Sequence, residues 1–279
     1  MHSIKIAAPA KINLTLEVLN KREDGFHNIK SIMQAISLYD YLTFEIEDST
    51  QTEILLSGNS DKIPYDGKNL VHKAITKFLE KTNIKNKRIK VYIEKNIPVE
   101  AGLAGGSTDA AGALVAMNEL FNNRLQQNDI EQICASLGSD LNFCLHGGTA
   151  LCTGRGENIQ RIPTQNEFVT LIKPLGFGIS AKEAYTKFAK LTKQQNNNYT
   201  EKMISAFSPD FLYNSLELAV INDYQELLEI KKAIPQALMS GSGPTFFVLE
   251  RFCPVQFDSA RFLTIEDLHF ITDGIKIVN

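Results

Sequence analysis

Between Ala101 and Thr108 the sequence reads AGLAGGST, so almost no side chain stands between its backbone and whatever approaches. Its amides can point outward together. Where such a segment runs into a helix, unpaired N–H groups and the positive end of the macrodipole join them, which suits a polyphosphate. Ser107 can also offer a hydroxyl to Mg²⁺. A close-packed strand-to-helix turn with no ligand gives the same glycine pattern. No Lys follows Gly106, so the pattern G-x-x-x-x-G-K-[ST] is absent here, as is G-x-G-x-x-G. A nucleotide held at this loop needs a different fold.

Other residues suit the same chemistry. Lys11 and Asn13 are two apart in a run where Ile12, Leu14, Leu16 and Val18 alternate with polar residues, so the cation and the amide share one strand face. Together they suit a phosphoryl group and a hydroxyl; the wet face of an edge strand alternates in the same way. Asp140, in LGSDLNF, suits a general base within reach of a hydroxyl proton, or an N-cap of the following turn. Phe26 and His27 follow the turn-forming Asp24-Gly25 and offer a flat face and a hydrogen-bonding edge, as an aromatic base requires; packing and a solvated imidazole would look alike. Gly241 and Gly243, around Ser242, bring a second bare backbone to a point, as a hairpin turn also does.

The elements that must position these groups follow from periodicity. Ile89, Val91 and Ile93 alternate as a strand that Pro98 ends, and Ala110, Leu114, Met117 and Phe121 form a helical stripe with Ser107 or Thr108 as the expected N-cap. Two strand-like runs flank Pro9, and Leu42, Phe44 and Ile46 mark another strand. Asn69 should cap a helix bearing Leu70, Ala74 and Phe78; residues 81–90 read as a solvated basic connector. Asp129 and Gln132 resemble a capping box for a helix ending at Gly138, and Gly147-Gly148 introduces a strand over 149–153. The polar run 163–167 is the expected boundary between domains 1–163 and 164–279. Beyond it come a strand over 168–172, a Ser180/Glu183 capping box starting a helix with Tyr185 and Phe188, and a Gln/Asn-rich surface loop over 193–198. Asp223 should cap a helix bearing Leu227, Leu228 and Ile234, and a last strand within 270–278 should complete a small α+β domain.

With 279 residues, 43% hydrophobic and 22% charged, the chain has the composition of a soluble globular protein of two domains, and a net charge of −3 argues against nucleic-acid or membrane-surface binding. Its four cysteines show no C-x-x-C pair and no metal-like spacing with the histidines, which fits a reduced compartment. Neither a signal-peptide pattern nor a membrane-length apolar run is present. A cytoplasmic location is expected.

In order and content, PAKINL, PVEAGLAGGSTDAA and SGSGPT resemble the motifs of the GHMP kinase superfamily. The start PAKINLTLEVLNKREDGFHNI, with LGSDLNF and MSGSGPTFF, is similar to the branch acting on a cytidine diphosphate-linked methylerythritol in non-mevalonate isoprenoid biosynthesis. The resemblance spans nearly the whole chain. It implies an α+β architecture of two domains, an N-terminal mixed α/β nucleotide-binding domain and a smaller ferredoxin-like C-terminal one, with the active site between them. It further implies that Pro98, Val99, Glu100 and Ala101, then Gly102, Leu103 and Ala104, and finally Gly105, Gly106, Ser107 and Thr108 wrap the ATP phosphates, with Ser107 toward Mg²⁺. Lys11 and Asp140 become the catalytic pair, Asn13 places the hydroxyl, and Phe26, His27 and Tyr185 hold the cytosine. Gly241 and Ser242 close the site. The partner implied is a small molecule, with no nucleic acid, membrane or obligate protein. A homoserine or mevalonate kinase and a non-catalytic ligand sensor are the alternatives; the DGFH segment speaks against the former, Lys11 with Asp140 against the latter. The sequence departs from the family pattern at Phe26 (commonly Tyr), Asn142 (often Pro), Ala181 (often Thr) and Ser215 (acidic).

Overall fold

The computed structural model describes residues 2–191 and 198–278, so most of the Gln/Asn-rich segment over 193–198 lies outside the described residues. The chain opens with two long antiparallel strands, β1 (His2–Lys21) and β2 (His27–Asp48), joined through the turn before Phe26. Pro9 does not divide β1. The register shifts between Pro9 and Ala10, and a bulge of this kind is where a strand tolerates a residue without an N–H. Next come β3 (Glu53–Gly58), α1 (Leu70–Thr82) and β4 (Lys87–Glu94), with Asn69 capping α1 through the Val71 N–H. Then follow α2 (Gly105–Leu120), α3 (Gln127–Leu137), α4 (Leu141–His146), β5 (Thr149–Gly154) and β6 (Asn158–Ile162).

The second half contains β7 (Phe168–Pro174), α5 (Ala181–Phe188), α6 (Tyr199–Ser205), the short β8 (Tyr213–Asn214), α7 (Ser215–Val220) and α8 (Gln225–Ala233). It ends with β9 (Leu238–Met239), β10 (Phe246–Val248), β11 (Phe262–His269) and β12 (Lys276–Val278). Four strands form an antiparallel sheet in the order β11-β7-β10-β9. The other eight form the sheet β12-β1-β2-β4-β3, with β5 and β6 continuing from β2 and β8 parallel to β1.

Several local expectations give way here to longer-range contacts. The last strand does not complete the smaller sheet; β12 returns to pair with β1, and β11 forms the smaller sheet's edge. Asp129 lies inside the first turn of α3, whose N-cap is Gln126, and its carboxylate pairs with Lys81 at 3.0 Å. Asp223 stops short of α8, capped instead by Tyr224, and pairs with Lys187 at 2.9 Å. Ser180 does cap α5, accepting from the Glu183 N–H.

The long hairpin serves more than one core. Ile6, Ala8, Leu42 and Phe44 pack under α1 and α2, whereas Leu16, Val18, Ile29 and Met33 pack with α5, α7 and the second sheet. Ala10, Ile12 and Leu14 meet Val169, Leu171 and Phe247 between them. Packed this way at both ends, β1 is a stiff rail, and Lys11 and Asn13 stand on it where the two halves meet.

Candidate active site

A cavity of about 1240 Å³ opens at that junction, lined by Lys11, Asn13, Asp140, the loop from Pro98 to Ser107, and Phe26, His27 and Tyr185. It is a built site, not a wet strand face. Lys11 and Asn13 are only 3% and 1% exposed: β2 flanks them on one side, and the glycine-rich loop closes on the other, its Leu103 carbonyl accepting from the Lys11 N–H at 3.1 Å. The Lys11 ammonium donates to Asn13 Oδ1 at 2.7 Å and to the Gly102 carbonyl at 3.1 Å, and stands 3.4 Å from Asp140 Oδ2. Asn13 in turn donates to Ser31 Oγ at 2.9 Å, which fixes its amide orientation. Asp140 occupies the N-cap position of α4 but makes no capping bond with its side chain. Its carboxylate faces Lys11 and keeps about a third of its side chain open toward the cavity.

The loop reaches this ammonium because its backbone is bare. Gly102 has φ +74°, and a Cβ there would lie 2.1 Å from the Ser240 carbonyl oxygen. Only glycine fits. The Gly102 carbonyl also accepts from Ser240 Oγ at 3.0 Å, so the loop and the Ser-Gly-Ser-Gly turn are locked together around Lys11. Asn214 holds that turn from behind, donating to the carbonyls of Met239 at 2.5 Å and Gly241 at 2.8 Å. Helix α2 begins earlier than the sequence suggested: Gly105 is its first residue, and Ala104, with φ 59°, takes the N-cap position without a side-chain bond. Neither Ser107 nor Thr108 caps it. The first-turn amides are therefore left without a competing side chain, which favours an anion at this end.

The predicted residues do not all reach the cavity. Thr108 is fully buried behind the loop, and Gly241 packs behind Lys11, where a Cβ would be 3.2 Å from Lys11 Nζ. Ser242 lines the cavity and donates to the Ile179 carbonyl at 3.3 Å. Ser107 lines it as well, and its hydroxyl has no hydrogen-bond partner among the described residues. No group of three or more His, Cys, Asp or Glu able to hold a metal is found among them.

At the far end Phe26 is 52% exposed, with the Arg155 guanidinium 5.1 Å from its ring centroid. The His27 ring stacks on Tyr185 at 5.5 Å and 19°. Burial, and then the charge of Lys21, lower the His27 pKa below the usual imidazole value, so a neutral ring presents one donor and one acceptor. Burial, and then the Asp140 charge, raise the Tyr185 phenol and keep it protonated.

Sequence reasoning missed two features. Neither Arg155, which lies over Phe26, nor the buried cluster of Lys95, Asp40 and Asp109 beneath the loop was singled out. In that cluster burial raises the Asp109 carboxyl to about 8 against the pull of Lys95, with the Asp40 charge adding to the rise. An uninterrupted alternation up to Glu94 gives no hint that the next residue turns its ammonium inward.

Comparison with known proteins bears on what this geometry serves. Residues 69–148 match the family described as GHMP kinases N terminal domain. The chain is 40% identical over 256 residues to the 4-diphosphocytidyl-2-C-methyl-D-erythritol kinase of Clostridium tetani, covering 88% of this chain and 90% of the relative. The chain belongs to the family of 4-diphosphocytidyl-2-C-methyl-D-erythritol kinases. The relative of that name from Clostridium beijerinckii is also 40% identical, over 259 residues, 88% of this chain and 90% of its own. Within the same family, a crystal structure of 4-(cytidine 5'-diphospho)-2C-methyl-D-erythritol kinase aligns with TM-score 0.71 and 28% identity, covering 88% of this chain and 90% of that one. A homoserine kinase from Cytophaga hutchinsonii aligns with a higher TM-score, 0.79, over 100% of this chain and 98% of its own, but at 19% identity. That likeness speaks for the shared two-domain GHMP fold alone.

Proposed function

We propose that this chain transfers the terminal phosphoryl group of ATP to the C2 hydroxyl of 4-diphosphocytidyl-2-C-methyl-D-erythritol, a step of the non-mevalonate isoprenoid route. The observation that carries the reading is the Lys11 ammonium, held 3.1 Å from the phosphate-loop carbonyl and 3.4 Å from the Asp140 carboxylate in one cavity. Phosphoryl transfer asks a protein mainly for alignment and charge stabilisation, and these groups supply both. Asp140 accepts the hydroxyl proton as the oxygen attacks. Lys11 offsets charge developing on the transferring group, and Asn13 orients the hydroxyl.

The loop from Pro98 to Thr108 provides amides for the polyphosphate. Phe26 stacks on the cytosine with the face that Arg155 leaves free, while the neutral His27 ring reads its edge. Mg²⁺ fits a site that offers the Ser107 hydroxyl and, among the described residues, no carboxylate cage, since this ion commonly keeps its waters and takes phosphate oxygens as ligands. When bound it neutralises phosphate charge. We place the division between the nucleotide-binding and C-terminal domains near residue 163, with β8 and β12 crossing back to the first sheet. No helix among the described residues is long and apolar enough to cross a membrane, in keeping with a small-molecule enzyme of the cytoplasm.

Phosphorus NMR of the product tests the assignment. The expected result is a new phosphomonoester on C2 of the methylerythritol moiety, formed only when both substrates are present; a phosphate on another hydroxyl, or ATP hydrolysis without transfer, would refute it.

A further inference from the structure

The ion cluster beneath the phosphate loop plays no direct part in the chemistry above. Lys95 follows β4, and its ammonium meets Asp40 on β2 and, at 2.9 Å, Asp109 on α2. The three side chains are 5%, 0% and 4% exposed. The other Asp40 oxygen accepts the N–H groups of Asn96 at 2.6 Å and Ile97 at 2.8 Å, the residues that lead into the loop. Asp109 sits one turn into the helix that leaves it. One ammonium therefore ties the backbone entering the loop to the helix emerging from it.

The loop has need of such a tie. Glu100 and Ala104 have φ of 51° and 59°, a region that non-glycine residues occupy only when their surroundings hold them there. The ammonium lies against the loop's exit, since a Cβ on Gly105 would be 2.9 Å from Lys95 Nζ. Global stability is a poor explanation for the cluster, because an ion pair in a dry interior commonly gains little over apolar residues of the same volume. Moreover, the Asp109 Oδ1 atom is buried without a hydrogen-bond partner among the described residues, and both Asp109 and Lys95 line the cavity. Three buried ionisable side chains beside an anion-binding loop are costly unless they set its shape.

We propose that Lys95, Asp40 and Asp109 form a clamp of positioning residues that holds the loop from Pro98 to Gly105 in its nucleotide-binding shape by pinning both of its ends. The inference rests on the reading of this loop as the nucleotide site.

The test compares Asp109→Ala with Asp109→Asn, which keeps an acceptor for Lys95. It measures the Kd for Mg-ATP by calorimetry, KM for each substrate, and hydrogen exchange of the backbone amides. Asp109→Ala is expected to raise the ATP Kd and KM at least tenfold and to leave the acceptor KM within twofold. Exchange should quicken at residues 100–106 while β1 and β2 keep their protection. Asp109→Asn should bring the ATP Kd back to within threefold of wild type. An Asp109→Ala protein whose ATP Kd stays within twofold, or whose protection falls equally across β1 and β2, would overturn the clamp. Asp109→Ser, read by the same ratios, replaces Asp109→Ala if that variant does not fold. Wild-type protein that binds ATP without slowing exchange at residues 100–106 would overturn the nucleotide reading, and the clamp with it.

Discussion

Asp140→Asn isolates the proton-transfer role with little change in shape. Asn is isosteric with Asp, and the Lys11 ammonium keeps its bonds to Asn13 Oδ1 at 2.7 Å and to the Gly102 carbonyl at 3.1 Å, so the cation and the loop should stay in place. What is lost is the acceptor for the hydroxyl proton. A positioned general base contributes about 10²- to 10⁴-fold, and at about 1.4 kcal/mol per decade this raises the barrier by roughly 3–5 kcal/mol. The loss of the 3.4 Å ion pair works on the ground state and is small by comparison, because Asp140 is about a third exposed and its charge is screened. The assay is steady-state kcat together with the Kd for Mg-ATP. We expect kcat to fall by at least 100-fold with the ATP Kd within about threefold of wild type. A kcat within fivefold would remove Asp140 from the base role, and a parallel loss of ATP affinity would mean that it shapes the loop instead.

Phe26→Ala removes the exposed stacking face and should raise KM for the cytidine substrate by about 1–3 kcal/mol, roughly 5- to 150-fold, with KM for ATP unchanged; equal KM values would put the base elsewhere. Gly102→Ala inserts a Cβ 2.1 Å from the Ser240 carbonyl oxygen at φ +74°, so the loop must shift away from Lys11. Misplacement of this kind costs about 100-fold in kcat/KM, and a loss under threefold would show that the loop contact does not govern turnover. For Asp109, the folded protein holds a proton that the unfolded chain releases between the ordinary value of 3.8 and about 8. Its contribution to stability is thus present at acid pH and fades as pH rises through that window. Wild type should lose Tm more steeply than Asp109→Asn between pH 5 and pH 8, and identical slopes would count against the raised value.

The chemical groups of the site were legible in the sequence where backbone geometry dictates residue type. A loop on which a Cβ would lie 2.1 Å from the Ser240 carbonyl oxygen has to be glycine at Gly102, and the alternation through Ile12 and Leu14 assigned Lys11 and Asn13 to a common face. What alternation could not convey is burial. That face is covered by the loop at Gly102 and by the turn from Ser240 to Gly241, which come from far along the chain. The same cause explains the misplaced starts of α2, α3 and α8. The chain enters α2 through the left-handed turn at Ala104, and Asp129 and Asp223, instead of capping, pair with Lys81 and Lys187 on other helices. The Lys95 cluster was illegible for a related reason, since Asp40, Lys95 and Asp109 are brought together only by the packing of α2 on the first sheet.

The central claim is that a phosphate loop and a cytosine site share one cavity around Lys11 and Asp140. It is tested most directly by offering the purified protein ATP and Mg²⁺ with 4-diphosphocytidyl-2-C-methyl-D-erythritol, homoserine, mevalonate and galactose in parallel. The account predicts that only the cytidyl acceptor gains phosphate at an appreciable rate. Comparable transfer to any of the other three would contradict it.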